Sequence, residues 1–191
     1  MQYICKENSV AIRKMNDNSY DYNLLAKWLS DPEVLEYYEG RNNSFDLDRV
    51  IKKFGPRIRG EELVTPCIIE YEEQAIGYIQ YYKIDSEEYN VCGKIEINEY
   101  AMPYGMDLFI GETDFWNKGI GTNMLKALIQ YLFVKENADD IDPQTWNKRA
   151  IKCYEKCGFK PITIIEKREL LDDEYRDNLI MMILSKDTLK G

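Results

Sequence analysis

The sequence predicts one α+β domain over residues 1–191, in which helices cover both faces of a mixed, mostly antiparallel sheet. Hydrophobic side chains recur with period 2 in some segments and with helical spacing in others, which gives the order β, α, α, α, β, β, β, α, β, α, β, β. No linker, repeat or low-complexity stretch divides the chain. A chain of 191 residues, 45% of them hydrophobic, is long enough to bury one core.

The N-terminal part is predicted to form a strand and three helices. Residues 10–14 alternate apolar and polar side chains, as a half-buried strand does. Asp31 and Pro32 are typical of a helix start, and Gly40 is expected to end that short helix. The dipeptide Gly55-Pro56 is expected to break the last of the three. These helices are centred on residues 24–29, 31–38 and 44–54.

The remainder of the chain is predicted to be richer in strands. Two aromatic-rich runs, residues 66–71 and 75–84, are separated by a short polar turn and indicate a hairpin. A polar, acidic stretch follows over residues 85–103, and part of it, residues 94–97, is a candidate strand. The other predicted elements are a strand at 104–111, a long helix containing 124–134, a short strand at 138–141 and a closing hairpin of 162–167 with 178–184.

Composition excludes several classes of function. The chain has no histidine, so Ser-His-Asp, Cys-His and His-metal catalysis are ruled out and acid–base work falls to other side chains. Cys153 and Cys157 are four residues apart, but a zinc site usually needs further Cys or His ligands, so no metal is expected. The five scattered cysteines are typical of reduced thiols.

Charge and hydropathy narrow the partners further. A net charge of −9 disfavours nucleic acid, whose backbone requires clustered Lys and Arg, and is weak evidence for a cationic ligand. No apolar run is long enough to span a membrane, and the N-terminal residues lack the pattern of a signal peptide. A cytoplasmic protein, monomeric or weakly dimeric, without nucleic-acid or membrane partners, is therefore expected.

The loop over residues 116–122 is the clearest candidate binding segment. Gly119 and Gly121 stand directly before an apolar helical stripe, so free N–H groups at a helix start are expected to face an anion. The spacing fits neither a Walker A loop nor a dinucleotide fingerprint. Asn147, Ala150 and Tyr154 are expected to share one face of a later helix, which suggests that two polar side chains point at a ligand.

These two segments resemble the GCN5-related N-acetyltransferase (GNAT) superfamily. Residues 116–121 match its [QR]-x-x-G-x-[GA] pattern except at Trp116, and residues 147–159 match N-x-x-A-x-x-x-Y-x-x-x-G-F. The resemblance implies a GNAT fold with a splayed strand pair, and acetyl-coenzyme A as co-substrate. The cofactor contacts that it implies come from Leu108, Phe109, Ile110, Asn117, Lys118, Gly119, Ile120, Gly121, Thr122, Asn147, Ala150 and Tyr154.

A narrower resemblance, to aminoglycoside 6′-N-acetyltransferases, extends over residues 11–183. Four segments carry it: 27–40, 64–80, 104–107 and 141–143. Leu108 departs from that family, in which Gln follows the Asp. The resemblance implies that the acetyl group passes directly, in a ternary complex, to the 6′-amine of an aminoglycoside, conferring antibiotic resistance. The substrate contacts that it implies are Trp28, Tyr38, Gln80, Glu99, Asp107 and Asp142.

The chemistry assigns two candidate catalytic residues. Asp107 is expected to hold the ammonium and to accept its proton, and Tyr154 to protonate the leaving thiolate. Backbone N–H groups of residues 108–110 are expected to polarise the thioester carbonyl. Alternatives remain open for several positions, since Trp28 and Tyr38 are more often core residues and turn chemistry explains Asp142 almost as well. Other amines, such as a polyamine or a protein N-terminus, and a non-catalytic coenzyme A-binding module also remain possible.

Overall fold

The structure, a computed structural model, describes residues 3–84 and 102–188. Within them nine strands and six helices follow one another along the chain. The strands are β1 (Tyr3–Glu7), β2 (Val10–Lys14), β3 (Val64–Tyr71), β4 (Gln74–Lys83), β5 (Pro103–Ile110), β6 (Asp140–Ile141), β7 (Gln144–Thr145), β8 (Lys160–Leu171) and β9 (Glu174–Leu184). The helices are α1 (Ser19–Trp28), α2 (Pro32–Leu35), α3 (Leu47–Ile58), α4 (Ile120–Lys135), α5 (Lys148–Lys156) and α6 (Ser185–Thr188).

The described strands form one mixed sheet. Strands β1 to β5 pair antiparallel in sequence order, β5 pairs parallel with β6, and β6 and β7 both pair antiparallel with β9, whose other edge carries β8. The parallel contact between β5 and β6 covers only two positions, Pro103 with Asp140 and Tyr104 with Ile141. Beyond Tyr104 the far edge of β5 has no strand partner among the described residues, so the sheet opens into a splay.

Helices cover both faces of this sheet, and each face has its own core. Side chains of α1, α2 and α3 pack with Ile68, Tyr78 and Phe109 on one face. The apolar stripe of α4 packs on the other face, where it meets residues such as Ile69 and Met106. Neighbouring residues of a strand point to opposite faces, so β3 to β5 supply both cores. This two-sided burial explains why these strands are almost continuously apolar.

Most predicted elements are confirmed, with similar bounds. The hairpin turns at Glu72-Glu73 and Asp172-Asp173 each place two residues at positive φ, as a tight two-residue turn requires. The predicted mixed, mostly antiparallel sheet with helices on both faces and a splayed strand pair is observed. The candidate strand at 94–97 and the acidic stretch over 85–101 lie outside the described residues.

The predicted end of the third helix is wrong. Helix α3 continues through Gly55 and Pro56 to Ile58. Pro56 occupies the last turn, where its fixed φ is helical and only one intrahelical hydrogen bond is lost. Gly55 packs tightly, because a Cβ there would lie 2.8 Å from an Arg59 guanidinium nitrogen. Strands β1 and β7 were not predicted, since each is short and carries no clear alternation.

No helix in the described part of the chain is both long and apolar enough to cross a membrane.

Candidate active site

The loop before α4, the candidate anion cradle, follows the splayed edge of β5. Gly119 adopts φ 78° at the N-cap of α4, and Asn117 also has a positive φ of 59°. In the described part of the chain no side chain caps the first amides of α4, and amides at such a helix start can bind an anion. Trp116 anchors the loop, because its indole Nε1 donates to the carbonyl oxygen of Ile110 at 2.8 Å.

Gly121, in the first turn of α4, is the second glycine of this loop. A Cβ built at Gly121 would meet Cys153 Sγ at 3.6 Å and Ile110 Cδ1 at 3.8 Å, which are ordinary van der Waals distances. The protein itself therefore leaves room for a side chain at this position. Because Gly121 has no side chain, another molecule such as a pyrophosphate could approach the backbone at this position.

Asp107 is held by a buried hydrogen-bond network. Gln80 Nε2 donates to Asp107 Oδ2 at 2.7 Å, across the pairing of β4 with β5. Gln80 Oε1 in turn accepts from Arg57 Nη1 at 2.8 Å and from the Tyr78 hydroxyl at 2.7 Å. Gln80 is 6% exposed. The structure therefore places Gln80 beneath Asp107 as its support, with its amide already occupied by protein partners.

The electrostatics of the site link Asp107 to two tyrosines. Burial raises the pKa of Asp107, although the hydrogen bond from Gln80 and the charge of Arg57 oppose the shift. Burial also raises the pKa of Tyr154 far above its usual range, and the charge of Asp107 adds to that increase. The pKa of Tyr38 is raised by the same two causes, among others. These interactions place Asp107, Tyr154 and Tyr38 in one electrostatic neighbourhood.

Two further carboxylates belong to this neighbourhood. Burial raises the pKa of Glu169, and the charges of Glu39 and Asp107 raise it further. Glu39, which follows α2 and pairs with Lys53, also raises the pKa of Asp107. Three carboxylates from separate segments thus influence one another electrostatically, and Lys53 offsets part of the charge of Glu39.

Asn147 occupies a different position from the one predicted. It is the N-cap of α5, and its Oδ1 accepts from the amide of Arg149 at 2.9 Å. Asn147 thus stands immediately before the first helical residue of α5, and its side-chain oxygen is engaged in capping that helix. Contact between Asn147 and a cofactor stays a prediction. The capping bond engages the side-chain oxygen, so such a contact would involve the other polar atoms of Asn147.

Other predicted site residues are distributed between core and cleft. Trp28 is 1% exposed, its indole donates to Glu112 Oε1 at 2.8 Å, and its ring packs against Phe109, so the structure places it in the core rather than at the substrate. Tyr38 is half-buried, with its ring centroid 4.7 Å from that of Phe109. Asp142 is 6% exposed and directly follows β6. Glu99 lies outside the described residues.

Sequence reasoning missed several residues that the fold brings to the site. Arg57, Glu39 and Glu169 belong to no short motif, and their proximity to Asp107 depends on tertiary packing of α2, α3 and β8. Only Glu39 had a signal, since it stands inside the segment 27–40 that resembles relatives. The aromatic residue Trp146 was also missed, although a hydrogen bond from it lowers the pKa of Glu169.

Two thiols lie behind the cradle. Cys153 Sγ is 3.4 Å from Thr122 Oγ1, and a hydrogen bond from Cys157 lowers the pKa of Cys153 to about 6. Neither thiol interacts with Asp107 directly. Across residues 3–84 and 102–188, no group of three or more His, Cys, Asp or Glu side chains is arranged to hold a metal ion.

Comparison with known proteins identifies the family of this chain. The family model described as "Acetyltransferase (GNAT) domain" matches residues 17–167. The chain belongs to the GNAT acetyltransferase family. Among curated GNAT relatives, the aminoglycoside N(6′)-acetyltransferase type 1 of Klebsiella pneumoniae is 31% identical over 156 residues, which are 80% of this chain and 75% of that protein. The predicted family membership is thereby confirmed.

Solved structures of GNAT proteins share the fold. A structure of AAC(6′)-Ib with ribostamycin and coenzyme A superposes with a TM-score of 0.74 at 24% identity, covering 96% of this chain and 99% of that chain. Spermidine N-acetyltransferase from Vibrio cholerae, solved with coenzyme A and spermine, gives a TM-score of 0.75 at 16% identity, covering 96% and 100%. The predicted GNAT fold is confirmed.

Proposed function

We propose that this GNAT protein transfers the acetyl group of acetyl-coenzyme A to the 6′-amine of aminoglycosides and thereby confers resistance to these antibiotics. One observation carries the proposal. Asp107 is held by a hydrogen bond from Gln80, and it interacts electrostatically with Glu39, Glu169 and Tyr154. Asp107 is the candidate base and Tyr154 the candidate acid, and both lie near further carboxylates.

The residues present fit the cofactor. The open edge of β5 at Leu108, Phe109 and Ile110 offers backbone N–H groups, and the cradle over residues 117–122 offers the uncapped start of α4. When bound, acetyl-coenzyme A supplies an activated acetyl thioester. Backbone N–H groups of β5 would stabilise the negative charge that develops on the carbonyl oxygen. Ala150, half-buried against the core, and Asn147 line the neighbouring end of α5.

Asp107 and Tyr154 perform the proton transfers in this proposal. Asp107 binds the substrate ammonium and accepts its proton, directly or through one water, which frees the nitrogen lone pair. As the nitrogen–carbon bond forms and the carbon–sulfur bond breaks, Tyr154 would give its proton to the departing sulfur and regain one from the acetylated nitrogen, so the only net proton released is the one held by Asp107. Burial of Asp107 makes it a stronger base than an ordinary carboxylate. The cysteines take no part, so transfer is direct, in a ternary complex.

The carboxylates select the acceptor. Aminoglycosides carry several ammonium groups, and the charges of Glu39, Asp107 and Glu169 attract such a ligand. Tyr38 and Asp142 are further candidates for substrate contacts. A polyamine would also satisfy the charge requirement, and the fold is shared with a spermidine acetyltransferase, so polyamines are the second candidate substrate class.

Thiol release from acetyl-coenzyme A tests the proposal directly. Initial rates would be measured with kanamycin, ribostamycin, spermidine and a peptide with a free N-terminus. We expect the aminoglycosides to give the highest kcat/KM, with NMR of the product showing acetylation at the 6′-nitrogen. Preference for spermidine would replace the substrate assignment, and release with none of these amines would contradict the enzymatic role.

Location and assembly are also part of the proposal. Cys5, Cys67, Cys153 and Cys157 are free thiols in the described segments, as expected in a reducing compartment. We place the protein in the cytoplasm, as a monomer or weak homodimer without nucleic-acid or membrane partners. Size-exclusion chromatography with light scattering at several concentrations measures the assembly state.

A further inference from the structure

A pair of thiols packs against the first turn of α4, and neither proton transfer uses it. Cys153 Sγ lies 3.4 Å from Thr122 Oγ1, and Cys157 Sγ lies 3.6 Å from the carbonyl oxygen of the same residue. A Cβ built at Gly121 would be 3.6 Å from Cys153 Sγ. Cys153 belongs to α5 and Cys157 is its C-cap, four positions later, so the two side chains are neighbours. The pair thus joins the end of α5 to the start of α4.

The groups around the two sulfur atoms give them opposite protonation states. A hydrogen bond from Cys157 lowers the pKa of Cys153 to about 6, against the effect of burial, and Thr122 and the charge of Lys156 assist this shift. The hydrogen bond to Cys153 and burial raise the pKa of Cys157, although the charge of Lys126 opposes the increase. The geometry favours the same assignment, because Thr122 can donate its hydroxyl proton to Cys153 but offers Cys157 only a carbonyl acceptor. Cys153 is therefore the thiolate of the pair.

Cys153 combines this charge state with access to solvent, since both thiols of the pair are partly exposed. Amides in the first turn of a helix carry partial positive charge. The contact of Cys153 with Thr122 places its sulfur against such a turn, which favours a thiolate. Cys5 is also partly exposed, but burial raises its pKa to about 11, and Cys67 is fully buried. Of the four cysteines in the described segments, Cys153 is thus the one with nucleophilic character at neutral pH.

We propose that Cys153 is a modification site that exchanges with low-molecular-weight disulfides, and that the adduct weakens the binding of coenzyme A. The Cys153 thiolate attacks one sulfur of the small disulfide, so a new sulfur–sulfur bond forms while the original one breaks. The electron pair leaves with the second sulfur, which takes a proton from water. The protein thiolate is thereby oxidised to a mixed disulfide, and one half of the small disulfide is reduced to a free thiol.

The adduct affects the start of α4 for two reasons. A second sulfur bonded to Cys153 lies about 2 Å from Sγ, and the contacts at 3.4 Å with Thr122 and at 3.6 Å with the Cβ position of Gly121 leave no room for it on that side. The Cys153 sulfur also loses its negative charge, so it attracts the Thr122 hydroxyl less strongly. The effect on coenzyme A rests on the proposed function, because it takes this turn as part of the cofactor site, whereas the exchange itself does not.

Peptide mass mapping after exposure to oxidised glutathione tests the exchange. The protein would be incubated at several pH values, quenched with acid at successive times and digested, and the glutathione adduct on each cysteine peptide would be measured. We expect Cys153 to react about ten- to a hundredfold faster than Cys5 at neutral pH, because its larger thiolate fraction outweighs its lower intrinsic nucleophilicity. Cys157→Ala should move the midpoint of the Cys153 rate against pH upward, since the hydrogen bond that lowers the pKa of Cys153 is removed.

Calorimetry with coenzyme A, before and after modification, tests the consequence. We expect the affinity of the wild-type protein to fall about tenfold or more and to recover with dithiothreitol, while Cys153→Ser keeps its affinity throughout. Cys5→Ser is the matched control and should respond like the wild type. Faster reaction at Cys5 or Cys157 would contradict the assignment of Cys153, and a Cys153 adduct with unchanged affinity would contradict the consequence. If the unmodified protein did not bind coenzyme A, the proposed function would be wrong, and the mass mapping would still decide the exchange.

Discussion

Gln80 Nε2 donates to Asp107 Oδ2 at 2.7 Å, while the opposite end of the same amide is occupied by Arg57 and Tyr78. The Gln80 amide therefore connects α3 and β4 to the carboxylate on β5 through hydrogen bonds, which fix the position of that carboxylate. Gln80 contacts only the Oδ2 atom of Asp107, so this hydrogen bond does not itself engage Oδ1. A carboxylate fixed in this way loses little conformational freedom when the substrate binds, which favours reaction.

Asp107→Asn is expected to remove activity without weakening the fold. Burial raises the pKa of Asp107 in the folded state. The protonated carboxyl therefore favours folding, and this contribution is lost as pH rises through the folded-state pKa. At neutral pH the ionised carboxylate lowers the free energy of unfolding. A neutral amide of the same shape avoids this cost and still accepts from Gln80. We expect kcat/KM to fall about 10²-fold or more and the melting temperature to stay equal or rise. Full activity in Asp107→Asn would remove its catalytic role.

Glu39→Gln is expected to shift the pH profile. The negative charge of Glu39 raises the pKa of Asp107, so its removal lowers that pKa. Asp107 acts as a carboxylate, and the acidic limb of kcat/KM against pH should therefore move to lower pH in the variant. Glu36→Gln, at an exposed carboxylate that pairs with Arg41, serves as control and should leave the limb in place. A limb that stays fixed or moves upward in Glu39→Gln contradicts this assignment.

Tyr154→Phe is expected to lower kcat while the KM for acetyl-coenzyme A changes little. Burial and the charge of Asp107 keep the Tyr154 hydroxyl protonated at neutral pH, so it is available as an acid. Loss of a general acid costs about 10²-fold or more in rate. Tyr131→Phe is the matched control, because its hydroxyl donates to Glu136 Oε1, away from the site. Equal losses in the two variants would indicate a packing effect alone.

The fold was largely predictable because its signals are local. Three elements show this. The apolar stripe of α4 has helical periodicity, the turn between β3 and β4 is polar, and the helix start at Asp31-Pro32 has a capping residue followed by proline. Each signal lies within a few neighbouring residues. Gly55-Pro56 was misjudged because the same dipeptide that ends an isolated helix is tolerated in a last turn with tertiary contacts. Strand β7, with two residues, exists only because β9 lies beside it.

The site was predictable only where one segment contains the chemistry. The candidate cradle around Gly119 and Gly121 is one continuous loop, so its glycine spacing can be recognised directly in the sequence. The three carboxylates that interact electrostatically, Glu39, Asp107 and Glu169, are separated by about 60 residues each, and no spacing rule connects them. The capping role of Asn147 was not predicted, because the sequence pattern gave only its spacing to Ala150 and Tyr154 and not the residue at which the helix begins.

Gly121→Ala is expected to weaken coenzyme A without destabilising the protein. An added Cβ meets Cys153 Sγ at 3.6 Å and Ile110 Cδ1 at 3.8 Å, so the fold accepts it, and Ala is a better helix former than Gly. The methyl group would instead occupy the space of the bound anion, and Gly121→Asp would add charge repulsion. Calorimetry should show weaker binding in the order wild type, Ala, Asp. Unchanged affinity in Gly121→Asp would contradict the cradle.

A buried ion network under the opposite edge of the sheet is expected to dominate stability. Arg13 is 0% exposed and donates to both carboxylate oxygens of Asp21, at 2.7 and 2.8 Å, and to Glu70 Oε1 at 2.7 Å. Asp21→Asn leaves a buried guanidinium with a single counter-charge, which should cost about 3–5 kcal/mol in the free energy of unfolding.

Urea unfolding measures this loss for Asp21→Asn. Glu61→Gln is the matched control, because it breaks an ion pair with Arg59 that is exposed to solvent and should change the unfolding midpoint little. Asp21 lies on the first turn of α1, far along the chain from the cradle and from Asp107. The folded fraction of Asp21→Asn should therefore keep its kcat and KM, and a selective loss of kcat with normal stability would place the network in catalysis instead.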